Sequence, residues 1–135
     1  MGVDLGSVRI GVALSDFSGI LAIPHMTLQR AENQKSDVDA LLKIAGENEV
    51  SSIVIGIPNS LNEKKVQARQ SALDFAEVFR ENTELDIHTI DERFTTVLAG
   101  KKLRETGLNS RTMKSKIDAS AAAEILQAYL DARAR

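Results

Sequence analysis

Alternating apolar and polar positions predict that the chain opens with three short strands. Residues 1–5 form an apolar stretch interrupted by one acid, and residues 9–15 alternate large apolar side chains with small ones. A third apolar run covers residues 20–28, and Pro24 within it lacks the amide hydrogen needed for pairing on both sides. We therefore expect a meander of three strands, with the third strand at the sheet edge.

After these strands, apolar residues recur at helical spacing in two segments. Ser36 is the expected N-cap of a first helix over residues 37–48. A second helix is predicted over residues 63–81, and Val66 and Phe79 are among the positions expected to face inward.

Two more strands and two more helices complete the predicted fold. Residues 52–57 are mostly β-branched and apolar, which is typical of a parallel strand covered on both faces. A fifth strand covers residues 85–90, a third helix begins after Thr95 or Thr96, and a last helix covers about residues 115–133. The order β-β-β-α-β-α-β-α predicts an α/β protein. Its five-stranded mixed sheet would combine an antiparallel meander with two parallel strands, flanked by helices.

Length and composition narrow the class of protein. The 135 residues fit one domain, so we expect a single domain over residues 1–135. The chain has no cysteine, which excludes disulfides and cysteine metal sites. No apolar run approaches the roughly 20 residues of a membrane span, and no signal peptide opens the chain. We expect a cytoplasmic protein without a membrane partner.

The positive charge of the chain is concentrated in one segment. The net charge is −2, yet residues 93–118 carry seven basic residues against two acidic ones, a local charge of +5. The basic residues are Arg93, Lys101, Lys102, Arg104, Arg111, Lys114 and Lys116. This distribution indicates a surface for nucleic acid, and a solvated helix and loop is the alternative.

Asp4 and Glu92 are acids at positions where a charged side chain indicates a specific partner or a function. Asp4 stands in an apolar strand, where a carboxylate is costly unless it is paired or bound to a metal; capping the turn at Gly6 is the alternative. Glu92 follows the fifth strand at its carboxyl end, where open sheets place functional groups. An ion pair with Arg93 is the alternative for Glu92.

Asp118 is a third such acid. In a helical register it shares a face with Ile125 and Tyr129, so it is expected on the buried side of the last helix. The alternative is an N-cap for a helix beginning at Ala119.

The three acids together suggest a metal site. Carboxylate oxygens favour Mg²⁺ or Mn²⁺ over zinc, and two such ions about 3.5 to 4 Å apart support phosphodiester hydrolysis. His25 and His88 each stand alone in a strand pattern, so we expect packed or solvent-facing roles for them and exclude them from the site.

Four sequence runs stand in a specific order along the chain. They are GVDLGSVRIGVALSD (residues 2–16), IVIGIP (residues 53–58), DERFTT (residues 91–96) and KIDASAAAEILQAYLD (residues 116–131). Together they resemble the YqgF family of bacteria, also called RuvX, over nearly the whole chain.

The resemblance implies a fold and an activity. The family is similar in fold to RuvC and RNase H, with a five-stranded mixed sheet. It implies a hydrolase acting on nucleic acid as a metal-dependent endonuclease, with pre-16S ribosomal RNA favoured over branched DNA. Ribosome precursor particles are possible partners, and the protein is expected to be a monomer or a homodimer.

The resemblance also assigns residues. Asp4, Glu92 and Asp118 match the catalytic, metal-binding positions. Arg9, Arg93, Thr95 and Thr96 match positions that contact phosphate or support the site. The family has several residues before the motif aspartate where this chain has three, so either the first strand is short or the given sequence starts late. The loop NSLNEKK after Pro58 also departs from the family pattern.

Three other functions are compatible with parts of the sequence. Sugar kinases and actin-like ATPases share the Asp-x-Gly hairpin, but they need two lobes and 135 residues provide only one. A Holliday junction resolvase acting on DNA and a non-catalytic ribosome-assembly factor would both present the same acids and bases.

Overall fold

The strands and helices follow the predicted order. A computed structural model describes the chain over residues 1–59, 63–92 and 111–134. The strands are β1 (Gly2–Leu5), β2 (Arg9–Ser15), β3 (Ala22–Gln29), β4 (Ser52–Ile57) and β5 (Asp86–Asp91). The helices are α1 (Gln34–Glu47), α2 (Glu63–Asn82) and α3 (Arg111–Arg133). The helix predicted after Thr95 or Thr96 lies outside the described residues.

The five strands form one sheet in the order β3-β2-β1-β4-β5. β1 pairs antiparallel with β2 and parallel with β4, while β2 pairs antiparallel with β3 and β4 pairs parallel with β5. This arrangement confirms the predicted meander and the two parallel strands. The central strand β1 has four residues. Because β1, β4 and β5 run parallel, their carboxyl ends lie at the same edge of the sheet.

β3 lies at the sheet edge, as Pro24 predicts. It begins at Ala22, so the predicted start two residues earlier was wrong. The reason is the preceding turn, where the Asp16 carboxylate accepts hydrogen bonds from the backbone amides of Ile20 and Leu21 at 2.9 and 3.2 Å. These two residues therefore belong to the turn.

Alternating strand residues divide the core into two layers. On one face of the sheet, α1 and α2 cover a cluster that includes Val3, Ile55 and Phe75. On the other face, α3 covers a smaller cluster that includes Val54 and Ile125. The even-numbered residues of β1 and β4 therefore face α3.

α1 begins three residues earlier than predicted, at Gln34. Its N-cap is Asn33 and not Ser36, because the Asn33 side-chain oxygen accepts the backbone amide of Ser36 at 2.9 Å. In the first turn, Asp37 is buried and its Oδ2 lies 2.8 Å from Nε of Arg30. This ion pair ties the incoming loop to the first turn, and the local sequence pattern does not reveal it.

The two later helices also differ from the prediction. Val66, predicted to face inward, is 54 % exposed, because the buried stripe of α2 runs through Ala72, Phe75 and Phe79. α3 begins at Arg111, four residues earlier than predicted. Of the helices in the described ranges, none is long and apolar enough to cross a membrane.

Glycines in the strands let α3 approach the sheet closely. A Cβ atom at Gly11 would overlap the backbone carbonyl oxygen of Asp118. At Gly2, a Cβ atom would lie 2.6 Å from the carbonyl oxygen of Ala122. The position of α3 therefore depends on the absence of side chains at these strand positions.

We expect Gly11→Ala to lower the free energy of unfolding by about 3 kcal/mol, because the new methyl group meets helix backbone that moves only if α3 shifts. Urea unfolding followed by circular dichroism measures this change. The control is Gly46→Ala in α1, where nothing lies within 4 Å of the new Cβ atom; it should gain about 0.5–1 kcal/mol. A Gly11→Ala protein as stable as wild type would contradict the close approach.

Asp16 makes the stability of the β2–β3 turn depend on pH. Hydrogen bonds from the backbone amides of Ile20 and Leu21 and from the Ser18 hydroxyl lower the pKa of Asp16 below its ordinary 3.8. A carboxyl group with a lowered folded-state pKa stabilises the fold above its ordinary pKa, and this contribution is lost as the pH falls through the lowered pKa. Asp16→Asn should therefore melt below wild type at neutral pH, and the two melting temperatures should converge below pH 3.8. Thermal melts across this range test the prediction, and a difference that is independent of pH refutes it.

Candidate active site

In the described ranges, four acidic side chains are almost fully buried. Asp4, Asp37, Glu92 and Asp118 are between 1 % and 3 % exposed. A buried carboxylate is unfavourable unless it is paired, hydrogen-bonded or bound to a cation. Asp37 lies in α1 and pairs with Arg30. The other three are the acids selected from the sequence, and all three lie on the α3 face of the sheet.

Asp4 lies in β1 between glycines of the two neighbouring strands. It pairs with Gly11 of β2, and the pairing of Val3 with Ile55 places Asp4 beside Gly56 of β4. Residues that are paired across neighbouring strands project to the same face. Because neither glycine has a side chain, the space beside the Asp4 carboxylate is left for groups from other elements.

The turn after β1 is closed by its own backbone. The amide of Gly6 donates to the carbonyl oxygen of Arg9 at 2.9 Å, and a Cβ atom at Gly6 would lie 2.6 Å from the same oxygen. Nη1 of Arg30 donates to the Gly6 carbonyl oxygen at 2.7 Å. The glycine is thus required here, and the turn has backbone and arginine contacts besides any cap from Asp4.

Glu92 follows β5 directly and faces α3. Alternation along β5 puts it on the same side as His88, whose ring packs on that of Tyr129 in α3 with 4.9 Å between the ring centroids. Oε1 of Glu92 lies 3.5 Å from the position that a Cβ atom would take at Gly56. The Glu92 carboxylate therefore lies next to the glycine that also flanks Asp4.

The neighbouring acid, Asp91, faces the opposite side of the sheet. Nη1 of Arg69 in α2 lies 3.9 Å from Oδ2 of Asp91 and donates to the carbonyl oxygen of Pro58 at 3.3 Å. The two consecutive acids of the DERFTT run are thus separated, and only Glu92 belongs to the α3 face.

Asp118 lies inside α3, seven residues after the helix begins, so the alternative role as N-cap of a helix starting at Ala119 is wrong. Its carbonyl oxygen lies against Gly11. Its Oδ2 accepts a hydrogen bond from Nε of Arg9 at 2.7 Å. Asp118 therefore lies over β2, the strand that pairs with the one carrying Asp4.

Several residues were predicted to contact nucleic acid, and Arg9 is the one among them whose side chain lies in the described part of the chain. The structure places its guanidinium on Asp118 and leaves the side chain 23 % exposed. Other predicted residues fall outside the described part: Arg93, Thr95, Thr96, Lys101, Lys102 and Arg104, together with the side chains of Arg111, Lys114 and Lys116. The proposed pairing of Glu92 with Arg93 lies there too.

The two histidines have the positions expected of them. His88 packs on Tyr129, and His25 is exposed on the edge strand β3.

The donor chemistry of the three carboxylates fits a hard divalent cation. Asp4, Glu92 and Asp118 offer only oxygen ligands, which Mg²⁺ and Mn²⁺ prefer, and burial of their negative charge favours a positive partner. As placed, no three acidic or histidine side chains in the described ranges are arranged to hold one ion. Oδ2 of Asp118 is instead engaged by Arg9. The ligand types therefore fit the cation, and the carboxylate of Asp118 already has a guanidinium as a positive partner.

A cavity of about 530 Å³ lies at the opposite end of β1 from Asp4. Met1, Ser15, Val50 and Arg133 are among the residues that line it, and none of the three carboxylates does. The candidate site is therefore separate from this cavity. A phosphate backbone is bound along a charged surface, so an enclosed cavity is not needed for nucleic acid.

The partner of Asp118 could not be predicted from the sequence. Arg9 and Asp118 are 109 positions apart, and neither residue marks the other. Gly11 and Gly56 did indicate where other groups come close to the strands, because glycine inside a strand often marks such a close approach. Here the two glycines flank Asp4.

Comparison with known families places the chain among nucleic-acid enzymes. The RuvX family model, described as a Holliday junction resolvase, matches residues 1–132. The chain belongs to the RuvX family. The resemblance drawn from the four sequence runs is thereby confirmed.

Relatives of this RuvX chain share one name, "Putative pre-16S rRNA nuclease". The protein of Nocardia farcinica is 41 % identical over 139 residues, which cover 98 % of this chain and 77 % of that protein. That of Mycobacteroides abscessus is 39 % identical over 136 residues, covering 100 % and 82 %. The Frankia casuarinae protein is 40 % identical over 134 residues, covering 98 % of this chain and 66 % of its own length. The chain thus spans about two thirds of the Frankia relative.

Solved structures of RuvC share the fold. Thermus thermophilus RuvC in complex with Holliday junction substrate matches with a TM-score of 0.60 at 13 % identity, covering 98 % of this chain and 93 % of that one. A second Thermus thermophilus RuvC structure matches with a TM-score of 0.51 at 15 % identity. The predicted RNase H-like fold is confirmed.

Proposed function

We propose that this RuvX chain is a nuclease that hydrolyses phosphodiester bonds and that it processes the 5′ end of the 16S ribosomal RNA precursor. Relatives about 40 % identical carry the name of a nuclease for this RNA, and the family description is that of a nuclease. The observation that carries the proposal is the burial of Asp4, Glu92 and Asp118 on one face of the sheet, beside glycines that let α3 and the Glu92 carboxylate come close to β1.

The three carboxylates are assigned as catalytic metal ligands for Mg²⁺ or Mn²⁺, with two ions in the full site. Bound there, such ions lower the pKa of a water molecule and stabilise the leaving oxygen of the phosphodiester. The chain supplies the positioning. β1 fixes Asp4 in the middle of the sheet, the end of β5 brings in Glu92, and α3 brings in Asp118.

Positive charge for the nucleic acid comes from the segment of residues 93–118, whose net charge is +5. Two of the assigned acids, Glu92 and Asp118, lie directly before and at the end of this segment. We expect this segment to bind the phosphate backbone, and binding should weaken as the salt concentration rises.

Cleavage of Holliday junctions is the second candidate function. The family description and the fold shared with RuvC favour it. Symmetric cleavage of a four-way junction needs two sites related by a two-fold axis, so a junction resolvase should be a homodimer. Light scattering of the purified protein bears on this choice, because a strict monomer counts against junction cleavage.

Cleavage assays on a pre-16S 5′ leader RNA and on a synthetic four-way junction, run side by side with Mg²⁺ or Mn²⁺, test the proposal. We expect cleavage of the RNA by wild type and loss of cleavage after chelation of the metal. Asp4→Asn, Glu92→Gln and Asp118→Asn should each lower the rate about a hundredfold or more, because a metal ligand contributes several kcal/mol of transition-state stabilisation.

The matched control is Asp37→Asn, which changes a buried acid on the opposite face. This variant should lose stability through its contact with Arg30 and keep its cleavage rate below its melting temperature. Full activity in Asp4→Asn would refute the assignment of the carboxylates. A wild type that binds both substrates but cleaves neither would instead support a non-catalytic assembly factor.

A further inference from the structure

The ion pair between Arg9 and Asp118 joins the first residue of β2 to the inside of α3. Nε of Arg9 lies 2.7 Å from Oδ2 of Asp118, and the two side chains are 23 % and 2 % exposed. Alternation along β2 puts Arg9 on the same face as Gly11, so the guanidinium lies on the side of the sheet that also carries Asp4. The pair therefore lies at the candidate active site.

This contact occupies a group that the proposed nuclease needs for its cation. Asp118 is nearly inaccessible to solvent, and a buried carboxylate is unfavourable unless it is paired, hydrogen-bonded or bound to a cation. Arg9 supplies a positive partner. A divalent ion that binds Oδ2 of Asp118 competes with the guanidinium for that oxygen, and the two positive charges also repel each other.

We propose that Arg9 is a resident counter-ion of Asp118, that a divalent cation displaces it, and that the released guanidinium then binds a phosphate group of the nucleic-acid substrate. This inference rests on the proposed nuclease function. It makes Arg9 a positioning residue that couples loading of the metal to binding of the substrate.

A phosphate is the expected second partner of Arg9. Its guanidinium is planar, always charged and matched to two oxygens of a phosphate or carboxylate. The side chain is partly exposed, so it can turn towards solvent from its present position. By thermodynamic linkage, a metal ion that frees Arg9 raises the affinity for nucleic acid, and nucleic acid raises the affinity for the metal by the same factor.

A second pair in the chain has nearly the same geometry and serves as an internal control. Nε of Arg30 lies 2.8 Å from Oδ2 of Asp37, with exposures of 22 % and 3 %. This pair is held by further contacts, since Oδ1 of Asp37 accepts the amide of Ala31 and Arg30 donates to the carbonyl oxygen of Gly6. Asp37 lies on the opposite face of the sheet from Asp4, Glu92 and Asp118. A cation bound to those three carboxylates should therefore leave the pair of Arg30 and Asp37 intact.

Nuclear magnetic resonance of the arginine Nε–H groups tests the displacement in wild-type protein without any cleavage. Spectra of Arg9→Lys and Arg30→Lys assign the two signals. Both should be protected from solvent exchange without Mg²⁺. Added Mg²⁺ should shift the Arg9 signal and remove its protection while the Arg30 signal stays unchanged. A phosphorothioate oligonucleotide added afterwards should restore protection of Arg9 at a new chemical shift.

An Arg9 signal that keeps its shift and protection up to the highest Mg²⁺ concentration at which the protein stays folded overturns the proposal. If Arg9 is displaced but the protein cleaves neither RNA nor a junction, the proposed function fails and this inference stands. If the protein cleaves with Arg9 still bound to Asp118, the inference fails and the function stands.

Mg²⁺ titration by calorimetry gives an independent measurement. Arg9→Gln removes the competing charge and should bind Mg²⁺ about tenfold more tightly than wild type, within the usual range of such couplings. Arg30→Gln should bind Mg²⁺ as wild type does. The gain in oligonucleotide affinity on adding Mg²⁺ should be smaller in Arg9→Gln than in wild type. An equal Mg²⁺ affinity in Arg9→Gln and wild type contradicts displacement.

Discussion

The C-terminal helix α3 lies directly on the sheet at glycines of three strands, and this contact brings Asp118 to the face of the sheet that carries Asp4 and Glu92. At Gly11 the helix backbone occupies the place of a side chain, and at Gly56 the space is shared by Ile125 and the Glu92 carboxylate. Because α3 lies this close, Asp118 is carried into the same buried face as Asp4 and Glu92. A sheet with larger residues at these positions would hold the helix farther away and separate the acids.

Burial of these carboxylates gives the site its electrostatic character. Each acid has lost most of its hydration, so positive charge is strongly favoured nearby. Arg9 supplies part of this positive charge, and its pairing with Asp118 links the sheet to the helix. The same buried negative charge favours a divalent cation. A guanidinium that is released from Asp118 is suited to bind a phosphate. Under the proposed displacement of Arg9, the stability of the metal-free protein and the binding of substrate depend on the same arginine.

Much of the fold could be predicted because its signals are local. Strand alternation, the β-branched run of β4 and the helical register of Asp118 each lie within one segment, and Pro24 marked the edge strand. The errors in element boundaries arose where a single side-chain hydrogen bond decides the boundary. Asn33 caps α1 in place of Ser36, and Asp37 in the first turn pairs with Arg30 outside the helix. The three acids could be named from their unfavourable positions, but the partner of Asp118 depends on tertiary structure alone.

Diffraction from crystals soaked in Mn²⁺, with data collected at the manganese absorption edge, tests the central claim most directly. The account predicts anomalous density between the carboxylates of Asp4, Glu92 and Asp118, with the guanidinium of Arg9 turned away from Asp118. Density at another place in the chain, or none between these carboxylates at Mn²⁺ concentrations that support cleavage, would contradict it.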